Sequence, residues 1–430
     1  MKGKKFAGYY FLVTPIFVPV DLDLIKAICI NDFDHFTDHI SHYDEKNDPL
    51  STNIFTAKGD RWRALRSKTT PSFTSSKIRS SFKIMLKYGQ TLQTALSETI
   101  GDSKGIDIKD LSLKYTGDVI TLCAVGVESK LLNGKESPFK KHIDKLYTTD
   151  FKPSFFLLMT IIYPQFFKIF RYMTFDKTLT DFFISIVKQI RSSLDKCTTP
   201  RNDFLYLLLH AQRNEKDDRL SLEELAGQCF GYFFAGIEAS GTTLSFTLYE
   251  LAANQSIQDK LRREIKTTLE KHNEKFTYEA VIKMEYMTNC IFETARKYPP
   301  SPVMTRVCTK TYKIPNADLV LEKGTHIFIP LYGIHMNPEY FPEPERYDPE
   351  RFSQENLTKE TSFAFMPFGC GPRMCVGNKF AMLQLKVAIA LLVLRFKFSV
   401  HPDTKIPFRY QPNSFVPNTI PPIRLRAERI

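Results

Sequence analysis

Apolar positions recur with a helical period through most of this chain and give way to short, proline-punctuated runs near its two ends. The first such run, "FAGYYFLVTPIFVPV" (Phe6–Val20), is too short to cross a bilayer and carries Pro15 and Pro19. It lacks a signal-peptide layout and predicts two strands with a turn at Pro15. "DLDLIKAICI" follows as a short helix after Asp21, and polar loop chemistry fills "HISHYDEKNDPLSTN". "GDRWRALRSKTT" opens a helix with Asp60 as its N-cap. From about residue 75 to about residue 220, amphipathic helices alternate with charged breaks. Within them, "FFLLMTIIYPQFFKIF" (Phe155–Phe170) is too short to span a membrane and is interrupted by Pro164 and Lys168. It reads as a segment that dips into a bilayer surface, or as a core helix.

"SLEE", Ser221 to Glu224, has capping-box spacing. It opens a helical pattern that runs to about Asn254, roughly 30 residues and about 45–50 Å long. Gly227, Gly231, Gly236 and Gly241 lie inside it, each costing about 1 kcal/mol against Ala. Four of them require something large close to the backbone, either a second helix or a flat ligand. After residue 298 the texture turns to short strands and prolines, as in "TRVCTKTYKIPNADLVLEKGTHIFIP", which predicts a small mixed sheet. A proline-laden meander, "MNPEYFPEPERYDPERF", follows, and "VPNTIPPIRLR" at the end reads as a strand pair. The class is mainly α with small β-sheets. No Gly/Ser linker, repeat or low-complexity tract divides the chain, so residues 1–430 are expected to form one domain.

Composition changes this picture little. Apolar residues are 43% and charged residues 25%, ordinary for a globular chain. The net charge of +12 is scattered, and no run of like charge reads as a nucleic-acid arm. It suits an acidic protein partner or an anionic membrane surface. Eight cysteines are dispersed without a CxxC pair, which fits a reducing compartment rather than a disulfide scaffold.

The candidate chemistry sits in "FMPFGCGPRMCVG" (Phe365–Gly377), directly before the apolar run "NKFAMLQLKVAIALLVLRFKF". A cysteine there could be a disulfide half, a zinc ligand, a nucleophile, a core residue or an iron ligand. Spacing without a neighbouring His argues against zinc. Phe368, Gly371, Arg373, Cys375 and Gly377 fall on F-x-x-G-x-R-x-C-x-G. A thiolate is a soft ligand that pushes electron density onto iron, as O–O cleavage requires. With the segments below, this loop resembles the haem-thiolate monooxygenases of the cytochrome P-450 superfamily.

The resemblance makes Cys375 the axial ligand of haem b and leaves Cys370 incidental. Phe368 would shield the sulfur, Gly371 would permit the tight turn, and Gly377 would let the backbone approach the macrocycle. "ETAR" with "PERF" resembles the family's buried triad, here Glu293, Arg296 and Arg351, bracing the cysteine loop. "WRALR" resembles the propionate-binding W-x-x-x-R helix, which assigns Trp62 and Arg66; Arg306 in "PVMTRVC" stands where a second propionate-binding Arg is expected. Arg66, Arg306 and Arg373 would together answer two carboxylates. "FFAGIEASGTT" resembles the oxygen-binding A-G-x-E-T-S segment, with Ala235 and Gly236 over the haem and Glu238 as the acid of a proton relay. Ala239 replaces the expected Thr, and the neighbouring Ser240 is the hydroxyl left to serve.

The similarity runs from about Tyr10 to the end. "HYDEKNDPLSTNIF", "TPSFTSSKIR" and "YTGDVIT" give it the flavour of insect microsomal enzymes of the sixth cytochrome P-450 family. It implies a fold with a long central helix over the haem. It implies insertion of one oxygen atom from O2 into lipophilic small molecules. Electrons would come from NADPH through NADPH–cytochrome P-450 reductase, with cytochrome b5 as an optional second donor. No GxGxxG loop follows a strand, so NADPH itself is not expected to bind here. Substrate would touch residues 41–55, 153–163, 233–239, 301–305 and 415–420. The implied location is the cytosolic face of the endoplasmic reticulum membrane, although "MKGKKFAGYY" starts after the place where such enzymes carry an anchor and hinge. The departure at Ala239 keeps two other readings open: a haem-thiolate isomerase or peroxide-dependent enzyme, and a non-catalytic haem or lipophile binder.

Overall fold

The structure, a computed structural model, describes residues 3–101, 103–134, 139–142, 152–163, 165–170, 173–194, 203–211, 219–412, 414 and 416–430. Strands β1 (Phe6–Phe11) and β2 (Thr14–Pro19) pair antiparallel with Phe11 opposite Thr14. The turn is therefore Leu12–Val13 rather than Pro15, which lies within β2 opposite Tyr10. Leu12 takes φ +54°, the left-handed conformation that a tight hairpin turn uses and that proline, fixed near −65°, lacks. Helix α1 (Leu22–Lys26) starts at Asp21, whose carboxylate accepts the Leu24 N–H at 2.9 Å.

Helix α2 (Gly59–Thr69) has Lys58 at its N-cap and no side-chain cap of its own. Asp60 sits in the first turn, and the orphan Gly59 N–H donates instead to Asp38 Oδ1, 2.8 Å away and 21 residues back. A two-residue strand, β3 (Ile106–Asp107), lies between helices α3 (Ser75–Thr99) and α4 (Ile108–Val125). The apolar segment splits into α5 (Lys152–Ile162) and α6 (Gln165–Phe170). Ile161 and Phe167 are buried while Tyr163, Ile169 and Phe170 are exposed, so the segment serves core and surface at once. Pro164 lies outside the described residues. Among the described residues no helix is long and apolar enough to cross a membrane.

Helices α7 (Lys177–Leu194) and α8 (Phe204–Ala211) precede α9 (Leu222–Ala253), which carries the predicted capping box and ends at Asn254. The glycines of α9 are explained by protein packing. A Cβ on Gly227 would meet Thr52 Oγ1 at 2.5 Å and the Pro49 carbonyl at 2.8 Å, and one on Gly231 would meet Asn53 Cβ at 2.9 Å. Gly236 and Gly241 press on Ile120 and Leu113 of α4. The polar loop before α2 is thus no solvated connection. Thr52 and Asp48 are fully buried in it, and Gln228 of α9 bonds both the Thr52 carbonyl (2.9 Å) and the Ile54 N–H (3.2 Å).

Helices α10 (Gln255–Glu270), α11 (Tyr278–Ile282) and α12 (Glu285–Lys297) lead into β4 (Met304–Val307), β5 (Tyr312–Lys313), β6 (Val320–Leu321) and β7 (His326–Ile329). The predicted mixed sheet has order β1-β2-β7-β4, with β2 and β7 parallel and the other pairs antiparallel. Short helices α13 (Leu331–His335) and α14 (Lys359–Ala364) flank the meander, and the apolar run after the cysteine loop is α15 (Asn378–Arg395). At the end only one strand forms, β9 (Arg424–Arg429), between β3 and β8 (Phe396–Val400). Pro417, Pro421 and Pro422 lack the N–H groups a second strand would need, and a single bridge, Tyr410 with Thr419, stands in its place. One apolar core joins the helices. A second joins the mixed sheet, α1 and the cysteine loop through residues such as Ile28, Ile327 and Met366.

Candidate active site

The cysteine loop is held by its own backbone. The Cys375 N–H donates to the Phe368 carbonyl (2.9 Å) and the Met374 N–H to the Gly371 carbonyl (2.9 Å). Gly369 and Gly371 have φ of +73° and +70°, and a Cβ on Gly371 would collide with the Cys29 carbonyl oxygen, so this position demands glycine twice over. Among the described cysteines Cys375 alone is exposed. Its sulfur nevertheless lies deep: burial raises the thiol, opposed by the Gly377 N–H aimed at it and by the charge of Arg66. Gly377 is also the N-cap of α15, so the positive end of that helix faces the sulfur.

The three predicted arginines have different tasks. Arg373 donates to the carbonyls of Thr37 (2.8 Å), Ile54 (3.2 Å), Phe55 (3.4 Å) and Ala57 (2.7 Å), and its guanidinium lies 4.1 Å over the Trp62 ring. Burial, with the charges of Arg306 and Arg66, pushes it down to about 9 against the opposing pull of Asp38. Arg373 spends these donors on backbone carbonyls of the buried loop 37–57, with Asp38 Oδ1 lying 3.8 Å from its Nη2. Trp62 serves as its platform. Arg66 is half-buried and donates from Nη1 to the Met374 carbonyl at 2.8 Å. Arg306 is buried and donates from Nη1 to the Thr305 carbonyl (2.8 Å), with His39 Nδ1 at 3.1 Å. Its Nε has no partner among the described residues. Burial, then Arg306 and Arg373, hold His39 well below the ordinary histidine range, so it is neutral.

Glu293 and Arg296 form a fully buried two-pronged pair (2.6 and 2.8 Å), and Arg351 Nε approaches Glu293 Oε1 at 3.3 Å. Arg296 also donates to the carbonyls of His335 (2.9 Å) and Pro344 (2.8 Å), and Glu293 accepts the Asp348 N–H (2.9 Å). The triad therefore grips the meander directly and reaches the cysteine loop through His335, whose Nε2 accepts the Met366 N–H at 3.2 Å.

On α9, Ala235 is exposed between buried Phe233 and buried Ile237, whereas the open side of Gly236 is filled by Ile120. Gly236 thus gives its missing side chain to α4. Glu238 is buried, and its Oε1 accepts from Lys109 Nζ at 2.9 Å; the same ammonium bonds Thr242. Oε2 of Glu238 has no partner among the described residues. Ala239 is half-buried, its carbonyl accepting from Thr243 Oγ1 (2.9 Å), and Ser240 is buried. Lys109, His335 and His39 went unnoticed in the sequence. Only Lys109 left a signal there, as the lone cation among apolar residues in "IDIKDL" at the start of α4. Phe415, in one expected substrate segment, lies outside the described residues, as do the side chains of residues 153, 154, 156 and 157.

A family model described as cytochrome P450 matches residues 2–426. Several fruit-fly (Drosophila melanogaster) proteins are similar over nearly the whole chain. Probable cytochrome P450 6a23 is 37% identical over 99% of this chain and 86% of its own length. Probable cytochrome P450 6a13 is 36% identical over the same shares, and cytochrome P450 6a2 is 34% identical over 100% of this chain and 87% of its own.

Proposed function

The chain belongs to the cytochrome P450 family and is a haem-dependent monooxygenase, and on that premise we propose that it inserts one oxygen atom into lipophilic small molecules with electrons passed from NADPH by a separate flavoprotein reductase. The observation that carries this reading is Cys375, the one exposed cysteine among those described, with an N–H aimed at its sulfur. The residues fit haem: an exposed cysteine whose sulfur points inward, a cation beside it in Arg66, an unspent buried donor in Arg306 Nε among the described residues, and an exposed alanine on α9 between buried Phe233 and Ile237. When bound, haem supplies the iron centre at which O2 is activated.

The protein's own part is positioning. Cys375 would ligate the iron, its N–H contact tuning the sulfur. Arg66 and Arg306 would bind the propionates, while Trp62 and Arg373 hold the wall beside them. Ala235 and Gly236 would let α9 lie flat on the ring, the first by its size and the second by packing on α4. Lys109 fixes Glu238 Oε1, which leaves Oε2 as the atom at which a proton is held and passed on, with Ser240 nearby in sequence. Exposed Tyr10, Leu12, Val13, Ile169 and Phe170 support contact with a membrane surface, as for an enzyme on the cytosolic face of the endoplasmic reticulum served by reductase and cytochrome b5. The test is reductase-supported turnover of a panel of lipophilic compounds. Product from an organic hydroperoxide but none with reductase and O2 would replace this reading with a peroxide-dependent one.

A further inference from the structure

The apolar helix that starts beside Cys375 ends in a groove of the opposite chemistry. Helix α15 is 18 residues long, so its last residue, Arg395, lies about 27 Å from its start. There the helix end, the tip of β9 and one face of α3 enclose about 350 Å³, lined by Gln90, Gln93, Thr94, Ser97, Arg395 and Arg429. The sequence dictates this convergence. Positions 90, 93, 94 and 97 recur at helical spacing and so share one face of α3. Strand pairing sets Arg429 opposite Phe396, and the Ile430 N–H donates to the Arg395 carbonyl at 3.1 Å, which draws the two arginines together. Arg429 Nη2 donates to Ser97 Oγ at 3.0 Å, and Gln93 Nε2 is spent on the Leu391 carbonyl. The guanidinium of Arg395 and the amide of Gln90 have no hydrogen bond among the described residues.

No carboxylate side chain lines this groove, and among the described residues neither arginine has an ion-pair partner. Glu428, beside Arg429 in sequence, points to the other face of β9, across from Lys397. Cations complement the negative end of a helix, here that of α15, but that end is worth only about half a charge. Two guanidinium groups therefore leave about 1.5 positive charges unanswered. A phosphate monoester carries about −1.5 to −2 at pH 7, with three acceptor oxygens. A guanidinium fork meets two such oxygens at once. The groove has the volume of about a dozen waters at ~30 Å³ each, more than a bare ion needs. We propose that it binds a phosphate monoester, with the phosphate held between Arg395 and Arg429, the Gln90 amide as a third donor, and room left for a small organic group. This site stands apart from Cys375 and does not rest on the haem reading above.

The probes are inorganic phosphate and glycerol 3-phosphate, titrated calorimetrically into the intact haem-loaded protein while chloride holds the ionic strength constant. Both should bind saturably at one site per chain. Arg395→Gln and Arg429→Gln should each weaken binding about ten-fold or more, the worth of a hydrogen bond between charged groups, with haem content unchanged. Vesicles of phosphatidylcholine with and without phosphatidic acid separate the two sources of the phosphate. Co-sedimentation that needs phosphatidic acid and is lost in the double variant identifies a lipid headgroup; binding of the soluble probes alone identifies a free ester. Phenylglyoxal labelling read by peptide mass spectrometry tests the parent protein without any variant. Phosphate should shield Arg395 and Arg429 while exposed Arg409 stays as reactive as before. Equal binding by parent and double variant, no saturable binding of either probe or of phosphatidic acid vesicles, or equal shielding of Arg409 overturns the proposal.

Discussion

Replacing Glu293 by Ala removes the acceptor for four donors at once: Arg296 Nε and Nη2, Arg351 Nε and the Asp348 N–H. Arg296 is 0% exposed and would remain a buried cation. Breaking a buried pair in this way costs about 3–5 kcal/mol, and an unsatisfied buried N–H adds about 1–3 kcal/mol. Neighbouring terms overlap, so the net loss should be about 4–7 kcal/mol. Unfolding entropy of about 2.1 cal/mol/K per residue, taken over 430 residues, is about 0.9 kcal/mol/K. The apparent Tm should therefore fall by roughly 4–8 °C. Because the triad reaches the cysteine loop through His335, haem content per purified protein should fall as well. Thermal unfolding and haem quantitation on parent, Glu293→Ala and Glu293→Gln measure both effects. Gln keeps the shape and one acceptor but loses the charge, so its loss should be intermediate. A Glu293→Ala protein with parental Tm and full haem would refute the reasoning, and a Gln variant as stable as the parent would show that packing, not charge, holds the meander.

Cys375→Ala should abolish the strongly red-shifted Soret band of the reduced CO complex, whereas Cys370→Ala should retain it; the reverse pattern would undo the ligand assignment. Ala239→Thr should tighten the coupling of NADPH consumption to product by at most about 10²-fold, and Lys109→Met, which unties Glu238, should loosen it; both are read as peroxide released per NADPH. His335 is pushed from 6.5 to about 3 by burial and by Arg296. Its folded value is depressed, so the unfolded chain takes up more protons as pH falls below 6.5, and stability is lost in that direction. Between neutral pH and pH 5 this amounts to about 2 kcal/mol at 1.36 kcal/mol per unit, which urea unfolding of the parent should show and His335→Gln should lack.

Much of this was legible because the informative residues carry local rules. The capping box at Ser221, the spacing of Glu293 and Arg296, and the glycine-flanked Cys375 each announce themselves within a few positions. What escaped depends on partners far along the chain. The hairpin turn fell at Leu12 because one residue tolerated a left-handed backbone, which no composition rule flags. The loop His39–Asn53 reads as polar and solvated, yet Asp48 and Thr52 are buried because α9 offers glycines and Gln228 to receive them. Arg373 donates to carbonyls more than 300 residues away, which no local pattern in the sequence discloses. Charge and motif disclose that a cation is wanted, but not which acceptor reaches it first.

That last contact has a consequence for how the chain comes to be made. The carbonyls at Thr37 and Ala57 wait for Arg373, which is 336 and 316 residues further on. Strand β2 likewise waits for β7, and β3 for β9. At about 5–20 residues per second on the ribosome, the Ala57 carbonyl meets its guanidinium about 15–60 s after it emerges. Throughout that interval the apolar flank of the early loop has no permanent cover. A prematurely terminated product, lacking the final quarter of the chain, should be met by proteases as an unfinished polypeptide rather than survive as a smaller folded one.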